Sequence, residues 1–453
     1  MEQTNKNSRI KLACKNRKFI KSKWPNVGLM VAASASLLAA CGSSSANASS
    51  TAAKSKPSTD APVSISLWES HNGGPVGGAM TALVNKFNAS HKSVHVTIVV
   101  TKASKKLEAA ISAGNPPALA EISHYDGTFV KAGALISWNK FLSKSSTVSK
   151  TDMLPVVWKN GEVNGQHYRF QADLKLSEVF YNQTLFKQAG ITSVPTTWTQ
   201  LAADAAKLKN LGVIPIGWKD SSAHILPAFM SNGGTMLKGS NSVGTAVDFN
   251  NAAGQTTFSY FHSLYAAGNL QFHHGTALRQ DFAAGKIAMI DGTSAGYAKV
   301  LGAVSGKFGA GAFVEPGGST GHIYNMAQGL GFVLPKGTPT AQQKADWTFI
   351  QWWFEPAQQA YWAETTGFAP ETKSGEKAIP ASFLASHPGL KASLSAANSA
   401  YTFPRPVSDS YKEVQSALDA EFFDAVTGKV SVSAALAKLQ SEGDSYMSGA
   451  SKI

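Results

Sequence analysis

Hydrophobic and polar positions alternate with period two along Val63–Trp68, and the run stops at a Gly-rich turn, Asn72–Pro75. That pattern predicts a half-buried strand and its exit. Apolar positions then recur three and four apart at Met80, Leu83, Val84 and Phe87, the one-sided stripe of an amphipathic helix. Val94–Val100 predicts a second strand, and Lys105–Ala113 a second helix ended by Gly114-Asn115-Pro116-Pro117. Ala118–Ile122 reads as a buried parallel strand. Strand Leu176–Tyr181 precedes helix Leu185–Ala189 and its stop, Gly190. Thr197 stands as the N-cap of a helix running to Leu208. Later strands are expected at Val213–Trp218, Lys286–Ile290 and Gly329–Leu334, and beyond Ala341 the chain reads as helical. The βα alternation predicts an α/β protein with parallel sheets and helices on both faces.

The N-terminus departs from this pattern. A basic stretch to Lys23 is followed by the apolar run Val27–Ala40, which as a helix spans about 21 Å. That is too short for a hydrocarbon core of about 30 Å, so residues 1–40 read as a signal peptide. Leu38-Ala39-Ala40-Cys41 closes the run and resembles a bacterial lipobox, making Cys41 the acylated first residue of the mature chain. Residues 41–62 are Ser/Ala/Thr-rich and read as a tether. The only other cysteine, Cys14, leaves with the signal, so the mature chain is expected to form neither an internal disulfide nor a cysteine metal cluster.

Composition changes the picture in one respect. The 453 residues are 43% hydrophobic with a formal charge of +13, but residues 1–40 hold eight basic side chains and one acid. The remainder carries +6, scattered rather than clustered with aromatics, which argues against nucleic-acid binding. A hydrophobic fraction this high excludes wholesale disorder.

Four segments carry a family resemblance: Ile65–Asn72, Phe180–Gly190 continuing to Trp198, Gly285–Gly292, and Thr365–Lys373, the last followed by a late helix and Val426-Thr427-Gly428. In their order and spacing they resemble the extracellular solute-binding proteins of ABC importers, in the branch that includes maltose- and glycerol-3-phosphate-binding proteins. The resemblance implies a two-lobed, periplasmic-binding-protein-like clamp, each lobe a mostly parallel sheet with flanking helices. It implies a first lobe of 63–174 plus 291–328 and a second of 175–290 plus 329–453. A carbohydrate, an oligosaccharide or polyol derivative, would lie at the hinge between them and be delivered to the transmembrane subunits of an ABC permease. The protein would work as a monomer without cofactor or metal, held on the extracellular face of the bacterial membrane through Cys41.

By the same resemblance the ligand is met by Asn72 after the first strand, Lys105 on the second helix, His124 and Tyr125 after the third strand, and Lys175 at the first crossing. Trp218 and His224 follow, then Ser294, Gly329, Phe368 in a Gly-Phe-Ala-Pro turn, Tyr401 and Arg405. Aromatic platforms beside polar side chains suit sugars, which have apolar faces and dense hydroxyls.

One catalytic motif competes. Gly292-Thr293-Ser294-Ala295-Gly296 follows a strand and precedes a helix, the setting of a hydrolase nucleophile, with His71-Asn72-Gly73-Gly74 as an oxyanion loop and Asp346 and His387 as partners. That would make a secreted serine esterase, although matches to so short a motif arise by chance in a Gly-rich chain. A surface adhesin explains anchor and tether but not the βα order. His273-His274 and the His91/His95 pair are poorly spaced for chelation. Paired carboxylates for glycoside hydrolysis are set by fold rather than spacing, so the sequence leaves them open.

Overall fold

The computed structural model describes residues 61–122, 127–219, 221–238, 246–273, 276–405 and 410–449. The expected signal peptide, the expected tether up to residue 60, with Cys41, and the expected site residues His124 and Tyr125 lie outside these. In chain order the strands are β1 (Val63–Glu69), β2 (Val94–Val100), β3 (Leu119–Ile122), β4 (Leu135–Ile136), β5 (Glu162–Val163), β6 (Gln166–His167), β7 (Arg169–Gln171) and β8 (Ser177–Asn182). They continue as β9 (Ile214–Trp218), β10 (Leu270–Phe272), β11 (Ile287–Thr293), β12 (Ala310–Val314), β13 (Asn325–Ala327), β14 (Gly331–Pro335) and β15 (Thr402–Pro404).

The alternation that predicted β1 works as expected, with Ile65 and Leu67 inside and Ser64 out. The helix Gly74–Ser90 buries Met80, Leu83, Val84 and Phe87 against this sheet. Two large sheets form, ordered β2-β1-β3-β14-β4 with β7 on β14, and β10-β9-β11-β8-β12, beside the two-stranded pairs β13-β15 and β5-β6. Each builds its own core. Trp138, Phe170, Trp347 and Trp353 fill the first, and Trp198, Trp218, Phe258, Phe261 and Phe422 the second.

The sheets are mostly parallel in strand direction, each with one reversed strand: β1 runs parallel to β2 and β3, and β14 is antiparallel to β3, β4 and β7. Likewise β8 is antiparallel to β11 and β12. Both β8 and β14 enter their sheets directly from a chain crossing between the lobes, without the helical crossover that enforces parallel order.

One expectation needs correction, the lobe boundaries. β12, in the segment assigned to the first lobe, pairs with β8 in the second sheet, whereas β14, assigned to the second, is central in the first. Phe349, Ile350, Trp353 and Trp362 accordingly complete the first core, and the chain then returns, so that Leu418, Phe422, Leu436 and Leu439 complete the second. Each stretch is apolar enough for either sheet, and only non-local pairing decides.

Candidate functional site

Among the described residues, three chain segments run between the lobes, and they are hydrogen-bonded to one another. Isolated bridges join Lys175 to Gln328 and Leu174 to Ala369. Ala172 N donates to Leu330 O at 2.9 Å, Lys175 N to Gln328 O at 2.9 Å, and Ala369 N to Leu174 O at 3.0 Å. Arg169 Nη2 and Gln171 Nε2 add donors to Gly329 O and Gln328 O, each at 2.6 Å. Gly329 has φ +134°, and a Cβ there would stand 1.6 Å from Asp173 O, so only glycine lets these segments approach. Beneath them Leu174, Leu176, Ala327 and Ala369 join Leu154, Val157, Leu390 and Leu394 in a small apolar cluster.

At the crossings the polar side chains gather. Lys175 Nζ lies 3.4 Å from Asp173 Oδ2 and 5.6 Å from the ring centre of Phe368. Phe368 stacks on Trp362, with centroids 5.7 Å apart, and stands 6.5 Å from His71. His71 follows β1, and its Nε2 is 3.4 Å from Glu121 Oε1 in β3 and 3.8 Å from Asp173 Oδ2. Its backbone N–H donates to Glu69 Oε2 at 2.5 Å.

Charge in this group is unevenly balanced. Burial pulls the His71 pKa down, but Glu121, Asp173 and Glu69 outweigh it and hold the imidazole above its ordinary value. Burial pushes Asp173 up to about 6, against the opposing pull of Lys175. Glu69 is raised by burial, and nearby Glu371, fully buried, well above the carboxylate range for the same reason and through the Asp173 charge.

The expected site residues therefore divide. Lys175, Phe368 and Gly329 come together at the crossings. Asn72 is exposed in the loop after β1, and Lys105 is exposed on the helix Ala103–Ser112. Tyr401 stacks on His322 at 4.0 Å with its hydroxyl 2.9 Å from Nε2, beside Tyr324, on the second lobe. The Arg405 guanidinium lies over the Tyr411 ring.

Three residues are placed against expectation. Trp218 is fully buried against Phe261 and His224, so the residue ending β9 packs the core and offers a ligand no face. His224 is buried between carboxylates, Nδ1 on Glu315 and Nε2 3.3 Å from Asp291, so both nitrogens are used internally. Ser294 is also buried. Its backbone N–H donates to Leu176 O, and its Oγ accepts weakly from Leu176 N at 3.4 Å. The strand–turn–helix setting is present, but Ser294 has no positive φ, Asp346 is in the first lobe, and the His387 Nδ1 contacts are Ser386 and Phe383. The expected esterase triad is not assembled.

Sequence reasoning passed over Glu69, His71 as a polar-site residue, Glu121 and Asp173. An acid inside the four-residue buried strand Leu119–Ile122 was the available signal.

A model of the bacterial extracellular solute-binding protein family matches residues 82–392. The sn-glycerol-3-phosphate-binding periplasmic protein UgpB of Pectobacterium atrosepticum is 23% identical over 334 residues, 68% of this chain and 73% of that one. The cyclic α-maltosyl-1,6-maltose binding protein of Arthrobacter globiformis superimposes with TM-score 0.74 at 21% identity, covering 85% of this chain and 99% of that one. The sugar-binding protein MalE of Xanthomonas citri gives 0.75 at 18%, covering 85% and 97%. UgpB of Mycobacterium tuberculosis, in complex with glycerophosphocholine, gives 0.71 at 20%, covering 84% and 98%. The chain belongs to the bacterial extracellular solute-binding proteins, the substrate-binding components of ABC importers.

Proposed function

We propose that this protein captures a carbohydrate, an oligosaccharide or polyol derivative, between its lobes and presents it in a closed form to an ABC permease. The observation that carries this reading is the convergence of Lys175, Asp173 and His71 at the crossings. Charged hydrogen-bonding groups suit the dense hydroxyls of a sugar. The same geometry disfavours an anionic phosphate, because the carboxyls Glu69, Glu121 and Asp173 outnumber Lys175 and His71 there. Proteins of related fold bind cyclic maltosyl-maltose, acarbose and mannotriose, in keeping with a neutral or amine-bearing saccharide.

Thermal denaturation against a panel of oligosaccharides, polyols, glycerol 3-phosphate and glycerophosphocholine tests this. A ligand at 100 times its Kd adds about 2.7 kcal/mol, a rise of a few degrees in Tm. Saccharides are expected to give that rise and glycerol 3-phosphate none. Stabilisation by phosphates alone, or ester hydrolysis abolished by Ser294→Ala, would sink the reading. The finer placement on the membrane rests on Leu38–Cys41: the wild type is expected to sediment with membranes after high-salt washing and Cys41→Ser to be released. Retention of Cys41→Ser would disprove the lipid anchor.

A further inference from the structure

We infer that Glu69, His71 and Glu121 form a binding site for one divalent cation of the zinc class at the floor of the cleft. Each offers a donor atom, and the three donors lie within 4.8 Å of one another. Two carboxylates and an imidazole form a borderline donor set suited to Zn²⁺, whereas Ca²⁺ and Mg²⁺ prefer all-oxygen shells.

Two details favour a metal over an internal ion pair. First, Glu121 is fully buried and neither of its carboxylate oxygens has a hydrogen-bond partner; His71 Nε2 and Asp173 Oδ2 are likewise without one. Unpartnered buried carboxylate oxygens are costly, and a cation satisfies several at once. Second, Nε2 and Glu121 Oε1 are 3.4 Å apart, beyond ordinary N–H···O length. Donors on one tetrahedral zinc, each about 2.0–2.1 Å from it, stand roughly 3.4 Å from each other.

The second lobe holds a comparable buried group, in which both Asp291 oxygens and Glu315 Oε2 also lack a hydrogen-bond partner, but there the two carboxylates lie on opposite nitrogens of His224. In the first lobe Glu121 and Asp173 converge on the single Nε2 of His71. A substituted ammonium is too large for three donors this close on buried side chains, and a monatomic ion fits. Three protein donors leave at least one coordination position, which a water or a ligand hydroxyl takes on the open side, where His71 keeps 12% of its side-chain surface exposed.

The test titrates metal-stripped full-length protein with ZnCl2, MnCl2 and CaCl2 by calorimetry, with no sugar present. Saturable 1:1 zinc binding is expected, stronger than calcium, and weakened about tenfold or more in Glu121→Gln and His71→Ala. His387→Ala, a surface control, should bind as wild type. Glu69→Gln provides a third, volume-preserving variant, and zinc-edge absorption should show an imidazole shell that His71→Ala removes. Absence of saturable binding, or affinity unchanged in all three site variants, overturns the site. A saccharide-induced Tm rise without zinc binding overturns this site and leaves the carbohydrate reading intact. Zinc binding without any saccharide response does the reverse.

Discussion

Glu178 in β8 is fully buried. Ser393 Oγ donates to one of its carboxylate oxygens, and the other has no partner. Burial pushes its pKa up to about 8, only partly opposed by the Ser393 hydroxyl, so the folded protein holds it protonated at neutral pH. In the unfolded chain it ionises near 4.5. The folded state therefore binds the extra proton across pH 4.5 to 8, and stability is full below that window and falls as pH rises through it. The slope is about 1.4 kcal/mol per pH unit at most. Glu178→Gln keeps the shape and removes the titration. Thermal denaturation from pH 5 to 8 should show wild-type Tm falling more steeply than that of the variant, with the variant the more stable at pH 8. Parallel curves would refute this account. His167 acts on the acid side. It is buried against Trp158 and Phe170 with neither nitrogen hydrogen-bonded, and burial lowers its pKa to about 3. Its contribution is present above pH 6.5 and is lost as pH falls toward 3.

Elements whose signal is local were legible in the sequence. β2 spans the expected Val94–Val100. Thr197 caps its helix, its hydroxyl oxygen accepting from Gln200 N while the Gln200 side chain returns to the Thr197 N–H, a capping box. Gly190 takes φ +68° at the expected stop. Sheet membership was not legible, because β12 and β14 carry similar short apolar runs and partners more than a hundred residues away decide between them. The site shows the same split. The family's segment order led to Lys175 and Phe368, which lie at the crossings, Phe368 buried there. Trp218 and His224 were misplaced because a strand end and the following helix can face core or cleft, and the facing residues Phe261, Asp291 and Glu315 decide which. Glu69 and Glu121 sit on neighbouring strands β1 and β3, yet 52 residues separate them in the chain, so their convergence appears only once the sheet is assembled.

At the scale of the whole molecule, two independently cored lobes meet through three short segments whose backbones are already hydrogen-bonded to one another. Bending there costs few contacts in either core, which is what a hinge requires. Only a ligand that binds the closed form better than the open one shifts the population. Lys175 is well placed to supply such a difference. It projects from a crossing, its side chain stays 29% exposed, and Asp173 and Phe368 hold it toward the polar cluster. Lys175→Ala removes a charged donor, and a charged hydrogen bond is worth about 1.5–3 kcal/mol, or roughly ten- to a hundredfold in Kd. With a saccharide identified by thermal shift, small-angle scattering should show a smaller radius of gyration for the liganded wild type. Lys175→Ala should show little compaction at the ligand concentration that saturates wild type. Raising the concentration in proportion to the lost affinity separates two roles: recovered compaction means Lys175 contributes binding alone, and persistent openness means it contributes to closure itself. Unchanged affinity with full compaction would remove Lys175 from the ligand site.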